Sequence, residues 1–237
     1  MKLKSIFKLL LGLFLLGVVG LVALLLSLDT ILRVLAEHNI KAQTGMTAEI
    51  GKFHLGLLEP VITIKDLKLH NPPGFGDAPF LDIREIHVEY DRDALKSKHE
   101  IHLTLMRFNL GELDIVKNAA GHTNLLDLGV SLPSKEGLAK TNGSGAKELK
   151  ERTGFAFTGI DVLSVSVGTA KFIDLGNPKN NREENIGLEN QVIPNVKTET
   201  DLFGLMALVA LRGSDVFGVF VDPKAASGNS KILNLLF

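Results

Sequence analysis

The sequence predicts an α+β protein that is mainly β, with an N-terminal transmembrane helix followed by a strongly curved, bulged, groove-like β-sheet and a few short helices. Three observations predict this class. An uncharged run of twenty residues lies near the amino terminus, period-two apolar alternation recurs through the chain, and the apolar phase slips inside each of four such segments. Together these patterns indicate a membrane anchor joined to one sheet with an apolar face.

The uncharged run extends from Leu9 to Leu28. At about 1.5 Å per residue it forms a helix of roughly 30 Å, the thickness of the hydrocarbon core of a bilayer. A secretory signal peptide is the alternative, but its apolar region is typically about 7 to 15 residues long and ends at a small-residue cleavage site. This run is longer, and no such site follows Leu28, so an uncleaved anchor is favoured.

The charges that flank the run predict its orientation. Lys2, Lys4 and Lys8 precede it, whereas the charges that follow it are mixed. The positive-inside bias then keeps the amino terminus in the cytoplasm and exports the bulk of the chain. The chain has no cysteine, which suits a bacterial envelope better than a disulfide-rich secreted scaffold. We therefore expect a single-pass protein of the bacterial inner membrane with its bulk in the periplasm.

The composition divides the chain into five segments. A juxtamembrane helix is expected after the span, with Ile31, Leu32, Val34 and Leu35 on its apolar side and Gly45 at its end. A stretch rich in Gly, Ser and Lys after residue 131 interrupts the β pattern. The predicted segments are 1–28 (cytoplasmic leader and transmembrane helix), 29–45 (juxtamembrane helix), 46–130 (first β half), 131–154 (linker and short helix) and 155–237 (second β half).

The second half contains a short helix that is apolar nearly all round, Leu202 to Leu211, within residues 200–212. Thr198 and Asp201 precede it at capping-box spacing, and Gly213 follows it. At ten residues this helix is too short to cross a bilayer. We expect it to be buried in the domain, in a partner or in the membrane surface.

Four segments share one template: apolar, any, apolar, two further residues, then apolar, any, apolar. Strict alternation would place one residue between the two pairs, so the template contains one extra residue. An extra residue resembles a β-bulge, which keeps both halves of a strand facing the same way while bending it. The segments are Ile62, Ile64, Leu67, Leu69; Leu81, Ile83, Ile86, Val88; Leu103, Leu105, Phe108, Leu110; and Ile160, Val162, Val165, Val167.

An internal repeat links the two halves. The segment Val61 to Pro72 aligns without gaps to Val167 to Pro178 with six identities in twelve positions. Both copies end in Asn-Pro, a dipeptide whose proline interrupts a β ladder. The chain therefore reads as two related β halves.

No residue pattern indicates catalysis, so we expect no enzyme, no catalytic residues, no metal site and no cofactor. The seven histidines are scattered, the acidic residues form no pair of the kind that glycosidases use, and phosphate-binding loops are absent. A formal net charge of −1 argues against nucleic acid as a partner. The remaining classes are lipid binding and structural assembly.

Two turn motifs carry a resemblance to a known family. The single span, the segment Gly56 to Pro60, the strand that runs into Asn-Pro-Pro-Gly-Phe at 71 to 75 and the segment Asn-Ala-Ala-Gly-His-Thr-Asn at 118 to 124 resemble the amino-terminal region of the AsmA-like family. The resemblance covers about residues 5 to 128. It implies an inner-membrane anchor, a curved β groove and a part in outer-membrane biogenesis and lipid movement.

These observations lead to one expected function and two alternatives. The expected function is binding or passing phospholipid acyl chains along the apolar face, with the bilayer, phospholipid and envelope proteins or a second copy as partners. The first alternative is a non-enzymatic scaffold or adaptor whose apolar face is filled as core. The second is a small groove subunit similar in size and layout to the single-span component of lipopolysaccharide transport. The residues predicted to contact lipid are Ile64, Ile83, Leu105 and Val162.

Overall fold

The computed structural model describes residues 27–42, 44–56, 58–127, 150–151 and 153–217. Among these residues, no helix has both the length and the apolar composition needed to cross a membrane. The predicted span from Leu9 to Leu28 lies outside the described residues except for its last two positions. Most of the predicted linker 131–154 and the chain after residue 217 also lie outside them.

The predicted juxtamembrane helix is present as α1, residues 27–42. It ends as expected, because Gly45 adopts a φ of 72° and its N–H donates to the Lys41 carbonyl at 2.9 Å. The side of α1 that packs on the sheet carries Ala36 and Ile40. The four residues of the predicted apolar side divide, because Ile31, Val34 and Leu35 are each about half exposed whereas Leu32 is half-buried.

One mixed sheet of six strands, in the order β1-β2-β3-β4-β5-β6, forms the body of the protein. All neighbouring strands are antiparallel except β4 and β5, which run parallel. This confirms the mainly β class with few helices. The strands are β1 (Ala48–Leu55), β2 (Val61–His70), β3 (Pro79–Tyr90), β4 (Glu100–Lys117), β5 (Ala156–Asp174) and β6 (Arg182–Val196).

Helix α1 lies along the edge strand β1 and satisfies its outward-facing backbone. Glu37 accepts a hydrogen bond from the Ile50 N–H at 2.9 Å, and Asp29 accepts one from the Leu55 N–H at 3.1 Å. An uncovered edge strand offers free N–H groups to other chains. The two carboxylates remove that hazard and fix β1 antiparallel to α1.

Every strand skips at least one residue of the ladder near its middle, and the skipped residues form a line across the sheet, which we call the kink line. A skipped residue lets both halves of a strand face the same side. The predicted slips in β2 and β3 are confirmed, because Asp66 and Arg84 fall between the paired residues. The kink line contains Gly51, Asp66, Arg84, Gly111, Gly168 and Gly187.

The two β halves join through β4 and β5, which pair along nearly their whole length. The two copies of the internal repeat correspond to β2 and to the end of β5, and each is followed by a turn and an antiparallel strand. The last strand, β6, is fifteen residues long. Positive φ angles at Gly187 and Asn190 interrupt its alternation, which hid its true length in the sequence.

Short helical elements complete the fold among the described residues. They are a π-helical turn (Ala94–Lys98), α2 (Asn124–Asp127), two 3-10 turns (Pro178–Asn180 and Glu199–Leu202), α3 (Phe203–Arg212) and α4 (Ser214–Phe217). The predicted start of α3 is confirmed, because Asp201 Oδ2 accepts a hydrogen bond from the Thr198 N–H at 2.8 Å. Helix α3 packs on the sheet through Leu205, Leu208 and Val209, and Arg212 binds the carbonyls of Ile186 and Gly187.

Candidate functional site

The strand register places apolar side chains in rows that cross one face of the sheet, the inner face. Each row takes one residue from each of several neighbouring strands, so the face is continuous from β2 to β5. Two rows lie between the kink line and the β1–β2 turn. They are Ile62, Val88, Met106, Leu163 and Ile64, Ile86, Phe108, Val165.

Burial along the inner face is uneven. Beyond the kink line the face contains fully buried side chains, such as Ile83 at 6% exposure, Phe172 at 2% and Ile115 at 0%, although Leu69, Leu81 and Leu113 are half-buried there. In the two rows nearer the β1–β2 turn, the residues of β2, β3 and β4 are only half-buried. We call these six the apolar patch: Ile62, Ile64, Ile86, Val88, Met106 and Phe108.

The apolar patch lies between two regions where helices cover the sheet. Ala36 and Ile40 of α1 pack on the core beneath β1, β2 and β3, while α3 packs on the core beneath β5 and β6. One end of the patch is close to the start of α1, because Ile62 pairs with Leu55 and the Leu55 N–H binds Asp29. The patch therefore ends beside the residue that follows the predicted span.

The four predicted lipid-contact residues do not lie together. Ile64 belongs to the apolar patch, and Ile83 is in the filled core. Leu105 and Val162 pair with each other, Leu105 also pairs with Glu89, and both belong to the opposite face, where Val162 is 37% exposed. Neither contributes to the two apolar clusters of the inner face.

The placement of Leu105 and Val162 on the inner face is therefore wrong. The ladder skips Thr104 and Asp161, so the phase changes before Leu105 and Val162 and not after them. Met106 and Leu163 take the inner positions instead. The apolar pattern of the sequence cannot distinguish a phase change before Leu105 from one after it, because both faces of β4 carry apolar side chains there.

The opposite face, or outer face, is mostly polar and carries cross-strand ion pairs. Lys171 Nζ lies 2.7 Å from Glu112 Oε2, and Lys65 Nζ lies 3.5 Å from Glu85 Oε2. Exposed pairs of this kind contribute little to stability, about 0 to 1 kcal/mol each. Their presence shows instead which face of the sheet meets water, and it leaves the inner face as the apolar one.

The turn motifs meet at the end of the sheet far from the β1–β2 turn, the distal end. Asn124 is completely buried, and its side-chain N–H groups donate to Asn71 Oδ1 at 2.7 Å and to the Asp114 carbonyl at 2.9 Å. Its Oδ1 accepts hydrogen bonds from the Val116 and Leu125 N–H groups. Two motifs that are 53 residues apart in sequence thus form one polar junction, which we call the Asn clasp.

Beside the Asn clasp, Asp114 is a buried carboxyl group with 3% exposure. Its Oδ1 has no hydrogen-bond partner among the described residues. Burial and, to a smaller extent, the neighbouring Glu112 charge raise the pKa of Asp114 to about 6, against the opposing effect of the Lys171 charge. Asp114 thus holds a proton more tightly in the folded protein than in the unfolded chain.

A raised carboxyl pKa predicts that stability falls as pH rises. Between about pH 4 and pH 6 the folded state retains the Asp114 proton and the unfolded state loses it, so the free energy of unfolding decreases over that window. We expect Asp114→Asn to remove this decrease and to raise stability above pH 6 by up to about 3 kcal/mol. Chemical denaturation of the full chain at several pH values measures the free energy of unfolding of the parent and of Asp114→Asn.

The parent chain, measured at each pH, is the control for that experiment. The interpretation of Asp114 is refuted if Asp114→Asn and the parent differ by the same amount at pH 4 and at pH 8.

Among the described residues, no three His, Asp or Glu side chains converge as metal ligands. Comparisons of the chain with models of protein families, with curated proteins and with solved structures return no match. The function is therefore argued from the apolar patch and its position.

Proposed function

We propose that this protein is a membrane-anchored, non-enzymatic periplasmic protein of the AsmA-like type that holds phospholipid acyl chains on its apolar patch. One observation carries the proposal: at the end beside the predicted span, six apolar side chains of β2, β3 and β4 on the inner face are only half-buried. A face that served only as core would gain by being covered throughout.

The chemistry of the patch suits an acyl chain. All six side chains are apolar, and they extend over three strands, which corresponds to roughly 10 Å across the sheet. Each methylene removed from water contributes about 0.8 kcal/mol, and this contribution has no directional requirement. A segment of an acyl chain can therefore bind without any polar partner from the protein.

The scaffold alternative has its own support. The filled part of the inner face, from Ile83 to Ile115 and Phe172, is core that stabilises the sheet and offers no room for a ligand. If the patch is also covered in the cell, the protein would anchor an envelope assembly through its surface. The two functions differ in what touches the patch, so a contact experiment separates them.

A photo-crosslinking amino acid at Val88 tests the proposal in cells. Val88 is half-buried in the patch, and we expect it to form phospholipid adducts that mass spectrometry detects. Leu105, half-buried on the opposite face, and Ile83, in the filled core, are the matched controls. We expect several-fold more lipid adduct at Val88 than at either control.

The outcome that contradicts lipid holding is equally specific. Adducts at Val88 that contain only protein would favour the scaffold. Equal lipid yields at Val88 and Leu105 would indicate non-specific contact with the bilayer and would also reject the proposal.

A further inference from the structure

The β1–β2 turn lies at the level of the predicted membrane surface. Asp29 is the first residue after the predicted span, and its carboxylate contacts the His54 ring at 3.1 Å and the Leu55 N–H at 3.1 Å. From Ile50 to Leu55 the strand advances roughly 16 Å, whereas α1 covers roughly 12 Å from Glu37 back to Asp29. The strand therefore passes the start of the exported segment, and the turn extends further in the direction of the span.

Two hydrogen bonds hold the described residues of this turn, which presents an exposed leucine. The Gly56 N–H donates to the Val61 carbonyl at 2.8 Å, and Arg92 Nη2 donates to the Leu58 carbonyl at 2.6 Å. The Leu58 side chain is 90% exposed, more than any other large apolar side chain among the described residues. A single exposed leucine is ordinary on a protein surface. This leucine, however, lies in the turn that follows Leu55, whose N–H binds Asp29, the first residue after the predicted span.

We propose that the β1–β2 turn enters the surface of the phospholipid bilayer and buries the Leu58 side chain at the boundary between headgroups and acyl chains. Apolar side chains of peripheral segments insert about 5 to 10 Å into this boundary. The contact supplies a second point of attachment beside the span, and it orients the apolar patch towards the leaflet. This inference rests on the membrane anchor of the proposed function and not on lipid holding.

We assign the contact with the bilayer to the Leu58 side chain and not to charged side chains of the turn. The connection after β3 lies at the same end of the sheet and carries three positive side chains, Arg92, Lys96 and Lys98, but the same end also carries three negative ones, Glu59, Asp91 and Asp93. Positive and negative side chains are therefore balanced at this end of the protein. An electrostatic attraction to anionic lipid needs a basic surplus, which the turn and its neighbours do not provide.

A depth measurement on the full chain tests this inference. The chain has no cysteine, so Leu58→Cys gives one labelling site for an environment-sensitive fluorophore, and the backbone bond to Arg92 is retained. The protein is reconstituted into vesicles of phosphatidylethanolamine and phosphatidylglycerol. We expect nitroxides on the upper acyl chain to quench the Leu58 probe and aqueous iodide to quench it several-fold less than a probe in water.

Leu175 is the matched control, since it is a 46% exposed leucine that follows β5 at the distal end. A probe at Leu175→Cys should be quenched by iodide and not by the lipid nitroxides. Iodide quenching at Leu58 as strong as at Leu175 overturns the inference. Protection from both quenchers would mean contact with protein, either a second copy or a partner, and also overturns it.

The result is independent of lipid holding. Phospholipid retained by the same protein after purification in detergent is measured separately by mass spectrometry. A membrane-inserted Leu58 probe on a protein that retains no lipid would reject the proposed function and leave this inference intact. Retained lipid with a probe exposed to iodide would do the reverse.

Discussion

Replacing Gly168 by alanine is expected to destabilise the protein by about 3 kcal/mol, since added atoms in a close-packed site force the backbone apart. Gly168 lies on the kink line, where β4 and β5 run parallel. A Cβ at this position would collide with the Gly111 carbonyl oxygen, which belongs to the backbone and cannot rotate away. Relief of the collision requires the two longest strands to separate at the centre of the sheet.

Gly204 provides the matched control in the same chain. It lies in α3, and a Cβ there would meet no atom within 4 Å. Because alanine is the better helix former, Gly204→Ala should stabilise the protein by up to about 1 kcal/mol. Thermal unfolding of the full chain in detergent, followed by circular dichroism, compares the two variants. Similar melting temperatures for both would contradict the close approach of β4 and β5.

Replacing Asn124 by alanine is expected to cost about 3 kcal/mol. The Asn124 side chain makes four hydrogen bonds in a fully buried site, and its loss leaves the Val116 N–H and the Asp114 carbonyl without their partner. Each buried polar group left unsatisfied costs about 1 to 3 kcal/mol, while partial relaxation lowers the total. Denaturant unfolding of the full chain measures the difference.

Two further variants sharpen this experiment. Asn71→Ala removes one of the four bonds of Asn124 and also the bond from Asn71 Nδ2 to the Ala78 carbonyl, so we expect a smaller loss of about 1 to 2 kcal/mol. The double variant should lose less than the sum of the two single variants, because both changes break the bond between Asn71 and Asn124. Additive losses would show that Asn71 and Asn124 stabilise the protein separately, and the Asn clasp would then be wrong.

The Asn clasp and the kink line together explain why burial differs between the two ends of the inner face. The clasp joins the loop after β2 to the hairpin after β4 at the distal end, beside the residues that fill the core. In β2 and β3 the kink line separates the buried Leu67 and Ile83 from the half-buried patch residues Ile64 and Ile86, while Leu69 and Leu81 beyond it are also half-buried. The proposed lipid site thus occupies the part of the sheet that the clasp and the helices leave uncovered.

Sequence patterns determined the elements whose causes are local. Period-two alternation identified β2 and β3 with their slips, because side chains on a strand alternate between faces. Gly45 identified the end of α1, and the spacing of Thr198 and Asp201 identified the start of α3. The two Asn-Pro motifs identified turns, since proline cannot donate to a ladder.

Three features came only from the tertiary structure. The side of α1 that packs on the sheet was decided by where Asp29 and Glu37 meet β1, a contact between separate elements. The position of the phase change at Thr104 in β4 and at Asp161 in β5 was decided by strand register, which places Leu105 and Val162 on the outer face. The bond between Asn71 and Asn124 joined two turns whose separate patterns contain no information about each other.

The sequence by itself therefore determined the end of α1, the strands β2 and β3 with the Asn-Pro turn between them, and that one face of the sheet is apolar. Only the tertiary structure decided how much of that face is covered, with Ile83 filled in and Val88 half-buried on the same strand. The physical reason is that alternation depends on neighbours along one strand, whereas burial depends on helices that arrive from distant parts of the chain.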